Sequence, residues 1–189
     1  MWRKLCAQID ADFIPGKSLG FGKHDVIRAY HDNWVILIDT LQYPKQPIRT
    51  RFRAPYVNRD SFYFRIFRRK TFSNLQKAFG MQDIVIGFKQ FDDDFIIQGN
   101  DERKLRMLFD NDLIRRLISW QPDISLWVDA DDSWLTDEFG QGVNELRFEV
   151  FGLITDLQRL QDLYDLFAEL LNHLCHIGSA YEDDPFLED

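Results

Sequence analysis

The sequence predicts an α+β domain, an antiparallel β-sheet packed against helices with the longest helix at the C-terminus. Three observations predict it. Strand-like runs come in pairs joined by short polar turns, the pattern of hairpins rather than of alternating βαβ units. Strand and helix groups follow as α-β-β-β-β-α and then β-β-α-α-β-β-α. The 189 residues are 45% hydrophobic and 15% aromatic, enough to build one bulky core. A single domain over 1–178 with an acidic tail at 179–189 is expected.

Taken in order, residues 2–12 suit a helix, with Trp2, Leu5, Cys6 and Ile9 on one face. IPGKSLGFG then breaks any regular element through its proline and glycines. DVIRAY and WVILIDTL read as strands around the turn HDN. WVILIDTL is apolar on both faces and belongs inside the sheet. PIRTRFRAPY and SFYFRIFRR flank the turn signal VNRD and predict a second hairpin, and TFSNLQKAFG reads as a short helix stopped by Gly80.

QDIVIGF and DFIIQG are further strand candidates. ERKLRMLF and DLIRRLISW form a helix pair, with Asp101 and either Asp110 or Asn111 as N-caps. ISLWVDA and NELRFEVFG alternate like half-buried strands around a polar segment. From Thr155 to Ile177 a long helix carries the stripe Leu157, Leu160, Tyr164, Phe167, Leu171 and Leu174, with Thr155 and Gln158 as a capping box and Gly178 as its stop.

The charge is divided unevenly. Of the net −8, residues 43–77 carry +9 and the remainder −17. The basic stretch includes Arg49, Arg51 and Arg53 on one face of a strand. Across the expected hairpin, Arg65, Arg68 and Arg69 lie among Phe62, Tyr63, Phe64 and Phe67. Arginines interleaved with aromatics suit phosphates, bases or acidic surfaces. The plain alternative is a solvated face whose arginines pair with the chain's own acids. Nucleic acid is disfavoured, since its usual footprint is a domain pI above about 9 and this chain has a pI near 5.0.

The acidic runs invite a metal or acid–base reading. FDDDFIIQGND is expected to be a strand entering a helix, with Phe91, Asp93, Phe95 and Ile97 on one face and Asp92 and Asp94 on the other. The triplet would then diverge. The calcium-loop spacing fails there, and again at 129–132, where Trp134 falls where glycine is required. Gly99 permits a bend and Asp101 caps the next helix. If the clusters at 92–94 and 129–132 met, they would suit Mg²⁺ or acid–base work; this is the enzyme alternative.

Other signals fall away. GKSLGFGKH imitates a P-loop and a dinucleotide motif but misses the required glycines of both. His173, Cys175 and His176 lack zinc spacing, and Cys6 and Cys175 carry no nucleophile signature. No metal, no cofactor and no catalytic residue is expected. Two cysteines, no glycosylation sequon and no apolar run of membrane length point to a reducing cytoplasm.

FRAPYVN (52–58), FGMQDIVIG (79–87, containing GMQDI), FDDDFIIQGND (91–101) and LCHIGSAYEDDP (174–185) together resemble a bacterial family of uncharacterised proteins with a domain of unknown function. The resemblance runs nearly end to end. A looser similarity at 91–109 is to larger membrane-anchored proteins of unknown function, whose hydrophobic anchors have no counterpart here. The resemblance implies a bacterial, cytosolic, single-domain protein and assigns no activity. The leading expectation is therefore a soluble, non-enzymatic interaction module. It would contact an acidic protein or anionic ligand through Arg49, Arg51, Arg53, Arg65, Arg68 and Arg69. A carboxylate enzyme, and a nucleic-acid or anionic membrane-surface binder, are the alternatives.

Overall fold

A computed structural model describes residues 2–16, 25–42, 45–58, 60–69, 83–128 and 142–181. Along the chain run α1 (Trp2–Ile9), β1 (Asp12–Ile14), β2 (Val26–His31), β3 (Trp34–Leu41), β4 (Arg49–Val57) and β5 (Phe64–Arg68). Then come α2 (Lys89–Asp94), β6 (Phe95–Gly99), α3 (Glu102–Asp110), α4 (Asp112–Trp120), β7 (Ser125–Val128), β8 (Val143–Phe151) and α5 (Leu157–His176). The eight strands form one antiparallel sheet in the order β1-β2-β3-β4-β8-β7-β5-β6.

Strand alternation sorts the sheet into two chemistries. One row, Ile27–Ile38–Phe52–Phe148–Leu126–Ile66–Ile97, crosses seven strands and is buried throughout. The helices cover this face. Phe167 of α5 meets Phe52 at 5.6 Å between ring centroids, and Phe109 of α3 meets Phe64 edge-on at 6.1 Å. The neighbouring row on the opposite face reads Arg28–Leu37–Arg53–Arg147–Trp127–Arg65–Gln98. The α+β architecture and the long C-terminal helix are thus as the sequence predicts. No helix among the described residues is long and apolar enough to cross a membrane.

Several local expectations need correction. PIRTRFRAPY and SFYFRIFRR do not form a hairpin: β4 pairs with β3 and β8, whereas β5 pairs with β6 and β7. The connection explains why. Asn58 N donates to Gly142 O, carrying the chain along β8, and Asn100 then ties the loop to the end of β6. Its Oδ1 accepts from Tyr63 N at 3.0 Å while its Nδ2 donates to Ser61 O at 2.8 Å. These bonds deliver β5 to β6 at the far side of the sheet.

QDIVIGF is not a strand over its described residues; Ile84 N donates to Ile97 O, and Asp83 Oδ1 accepts from Gln98 Nε2 at 3.0 Å. The aspartate triplet ends helix α2 instead of beginning a strand. There Phe91 and Phe95 stack one turn apart, their centroids 4.6 Å from each other. The N-cap of α5 is Asp156, which accepts from Arg159 N at 3.1 Å, in place of a Thr155–Gln158 box. Asp101 and Asn111 cap α3 and α4 as anticipated. The helix expected at 71–79 lies outside the described residues.

Past Gly178 the chain stays packed. Ser179 and Ala180 are buried, and Tyr181 N donates to Val57 O at 3.2 Å. Lys104 holds this segment to the 58–62 loop: its ammonium contacts Asp60 and donates to Ser179 Oγ at 2.8 Å, and Ser179 donates on to Asp60 at 3.0 Å.

Candidate functional site

Alternation along β4 puts Arg49, Arg51 and Arg53 on the face turned away from α5, because Thr50 and Phe52 take the helix side. The register then decides what meets them. Asp39 of β3 lies opposite Arg51, Glu149 of β8 lies on its other side, and Arg147 lies opposite Arg53. Arg51 donates through Nε and Nη2 to the two oxygens of Asp39 at 2.8 and 2.9 Å, and Arg53 adds Nη2 on Oδ2 at 2.7 Å. Glu145 accepts from Arg147 Nε at 2.7 Å and from Arg53 Nη1 at 3.5 Å. Arg49 closes on Glu149 and reaches Gln46 at 3.1 Å.

These seven side chains form a lattice of four guanidinium groups and three carboxylates over three adjacent strands. Asp39 and Glu145 are buried in it. Burial penalises the Asp39 carboxylate, but hydrogen bonds from Arg51 and the charge of Arg53 outweigh it and hold its pKa below the ordinary range. For Glu145 the balance is reversed: burial pushes the carboxyl up against the pull of Arg147 and Arg53. Burial likewise works against Arg51, which Asp39 more than restores.

The other three predicted arginines lie elsewhere. Arg65 sits on β5 opposite Trp127 and Gln98, separated from β4 by β7 and β8, and is not a free cation. Arg68 stacks over Phe95 at 4.7 Å and donates to the carbonyls of Ser119 and Gln121 at the end of α4, at 2.9 and 2.7 Å. Arg69 donates to the carbonyls of Asp92 and Phe95, at 3.1 and 3.2 Å, where α2 ends. Both meet helix C-termini, where a cation is favoured. The six arginines are therefore not one continuous surface. Each has a partner within the chain.

The acids that sequence reading missed were present as patterns. Asp39 is the one acid of WVILIDTL, and NELRFEVF sets Glu145, Arg147 and Glu149 alternately against Leu146, Phe148 and Val150. What the sequence lacks is the register that brings strands about 100 residues apart side by side.

At the Arg49 end the lattice opens onto a groove of about 440 Å³, lined by Arg49, Glu149, Phe151, Ser125, Trp127 and Asp123. Arg49 is the most exposed of the four lattice arginines, at 27%, and lies 4.5 Å above the Phe151 ring, itself 65% exposed. Asp123 is held from behind by Arg159 at 2.5 Å.

The 92–94 run, weighed as half of a carboxylate site, makes structural contacts through Asp92 and Asp93. Both oxygens of Asp92 accept backbone N–H groups, from Ile86 and Gly87, each at 3.0 Å. Asp93 pairs with exposed Lys89 one turn earlier. Asp129, Asp131 and Asp132 lie outside the described residues. His173 and His176 stack on each other at 5.5 Å, and the described residues hold no group of three or more side chains suited to a metal ion. The chain matches no family model, no curated protein and no solved structure.

Proposed function

We propose that the chain is a non-enzymatic interaction module that takes an acidic, aromatic-bearing segment of a partner protein in the groove beside Arg49. The observation that carries this reading is the Arg49–Phe151 stack at the groove mouth. A partly exposed guanidinium over an exposed ring is the composition of an interface anchor. Trp127 and Ser125 behind it supply an apolar wall and a hydroxyl. Over the whole lattice four cations face three anions, and at its open end Glu149 and Asp123 are each already paired, with Arg49 and Arg159. The remaining five predicted arginines serve the fold. They enter the reading only as the frame that aims Arg49.

A carboxylate enzyme has less support, because Asp39, Asp92 and Glu145 spend their oxygens on arginines or backbone N–H groups. A polyanion binder also has less support, because Arg51 and Arg53 would have to abandon buried acids. Cytoplasmic location remains part of the reading, and two free cysteines are its support.

Reversing Arg51 or Arg53 would damage the fold, so the informative variant is R49Q combined with F151S. Peptides rich in Asp and Glu and carrying one Phe or Trp are titrated against the full chain, with Trp fluorescence as the readout. Saturable binding that weakens about tenfold or more in the variant, roughly 1.4 kcal/mol, is expected. Equal binding by both chains, or none by either, overturns the reading.

A further inference from the structure

A chain of donors and acceptors links β3, α5 and the β2–β3 turn. Trp34 is buried, and an indole nitrogen only donates. Its Nε1 lies 2.7 Å from Asn172 Oδ1, so the amide oxygen of Asn172 faces the indole and its nitrogen faces away. That nitrogen lies 3.4 Å from Nε2 of His31. An amide NH₂ group is a donor only, so Nε2 of His31 must accept. We infer that Nε2 of His31 accepts from Asn172 with the ring hydrogen on Nδ1, and that proton uptake at Nε2 breaks this tie between the end of β2 and α5.

The sign follows from the neighbours. A proton on Nε2 sets two donors face to face across 3.4 Å, and the Asn172 bond is lost. Asn172 does not restore it by flipping, because Trp34 would then lose its acceptor among the described residues. Asp32 Oδ2, in the turn, stands 3.7 Å from the same ring nitrogen and is open to solvent, so it draws the imidazolium away from α5. The imidazole itself is about one-third exposed, at 35%, and exchanges protons with water.

Tyr164 of α5 packs edge-on against the imidazole, centroids 6.1 Å apart, and donates to Tyr30 O at 3.3 Å. Burial pushes its phenol up, with Asp165 and Asp32 adding to the effect, so it stays neutral throughout. Among the described residues, Asp32 from the turn and Asp165 from α5 are the acids that face this corner. The tie is made when Nε2 carries no hydrogen and is lost when it carries one.

The test follows the ring ¹⁵N shifts of His31 and the indole ¹H–¹⁵N signal of Trp34 in the labelled full chain from pH 5 to 8. The same measurement is made on H31Q, whose side-chain oxygen accepts at every pH. At the alkaline end Nδ1 carries the hydrogen and Nε2 does not. The Trp34 signal moves in step with the His31 titration and stays fixed in H31Q. A hydrogen on Nε2 at the alkaline end overturns the inference, whether or not H31Q folds. So does a Trp34 signal that ignores His31, or that moves equally in H31Q.

Discussion

Arg51 grips Asp39 with both prongs of its guanidinium, Nε to Oδ1 at 2.8 Å and Nη2 to Oδ2 at 2.9 Å, across the β3–β4 ladder. Asp39 is 3% exposed and also accepts from Arg53. Removing one member of such a group leaves buried cations without a counter-charge. Asp39→Ala is therefore expected to lower stability by about 3–5 kcal/mol. Replacing Asp39 and Arg51 together by apolar residues is expected to cost less than Asp39→Ala alone, since the orphaned charge goes with its partner. Urea unfolding of the two variants decides; a double variant worse than the single one contradicts this account.

The two buried acids give opposite pH responses. The folded pKa of Asp39 lies below its ordinary 3.8, so its contribution is present above that value and is lost as pH falls through the folded pKa. The folded pKa of Glu145 lies above its ordinary 4.5, so its share is present below 4.5 and is lost as pH rises through the folded pKa. From neutrality downward, stability first gains from Glu145 and then falls as Asp39 protonates. Glu145→Gln should remove the gain, and Asp39→Asn should flatten the acid fall. Urea midpoints measured from pH 2.5 to 7 check both, and an unchanged profile in either variant refutes its half.

The same lattice shows what the sequence made legible. The one-sided display of Arg49, Arg51 and Arg53 followed from a period of two, and the long α5 followed from its apolar stripe. Both depend on neighbours in the chain. The partners of those arginines did not, because Asp39 and Glu149 reach Arg51 from different strands through a register that no local pattern encodes. The supposed β4–β5 hairpin failed for the same reason. VNRD is a good turn signal, but Asn100 captures the loop and sends β5 to a place between β7 and β6. FDDD was misread because the Phe91–Phe95 contact fits a helical turn as well as a strand face until Asp92 is seen to hold Ile86 and Gly87.

Gly99 has a different reason for being glycine than a bend. A Cβ there would stand 2.7 Å from Tyr63 O and 2.9 Å from Leu105 Cδ1, against backbone on one side and a buried side chain on the other. Gly99→Ala must therefore push β5 from β6 or displace α3, and an overpacking cost of about 1–3 kcal/mol is expected. Gly142→Ala is a useful contrast: it has open space around the new methyl and only the strain of φ +84°. Thermal unfolding should show Gly99→Ala with a crowding signature that a compensating Leu105→Ala partly relieves. No relief would mean that the Tyr63 carbonyl alone sets the cost.

Lys104 fastens the chain after α5. Its ammonium bridges Asp60 and Ser179, while Ser179 itself donates to Asp60, so three groups from a loop, a helix and the post-helical segment close a triangle. Lys104→Met keeps the stem but leaves the Asp60 carboxylate with the serine hydroxyl as its remaining partner in the triangle. Hydrogen bonds to charged groups contribute about 1.5–3 kcal/mol, and a loss in that range is expected. The loss should be local: exchange of the Ala180 and Tyr181 amides, bound to Leu174 O and Val57 O, should quicken more than exchange in β8. Ser179→Ala, which removes two sides of the triangle and leaves the Lys104–Asp60 ion pair, takes away both of the segment's own ties and should quicken the same amides at least as much. If both variants leave those two amides as protected as before, the segment is held by the burial of Ser179 and Ala180 alone, and the triangle contributes nothing to it.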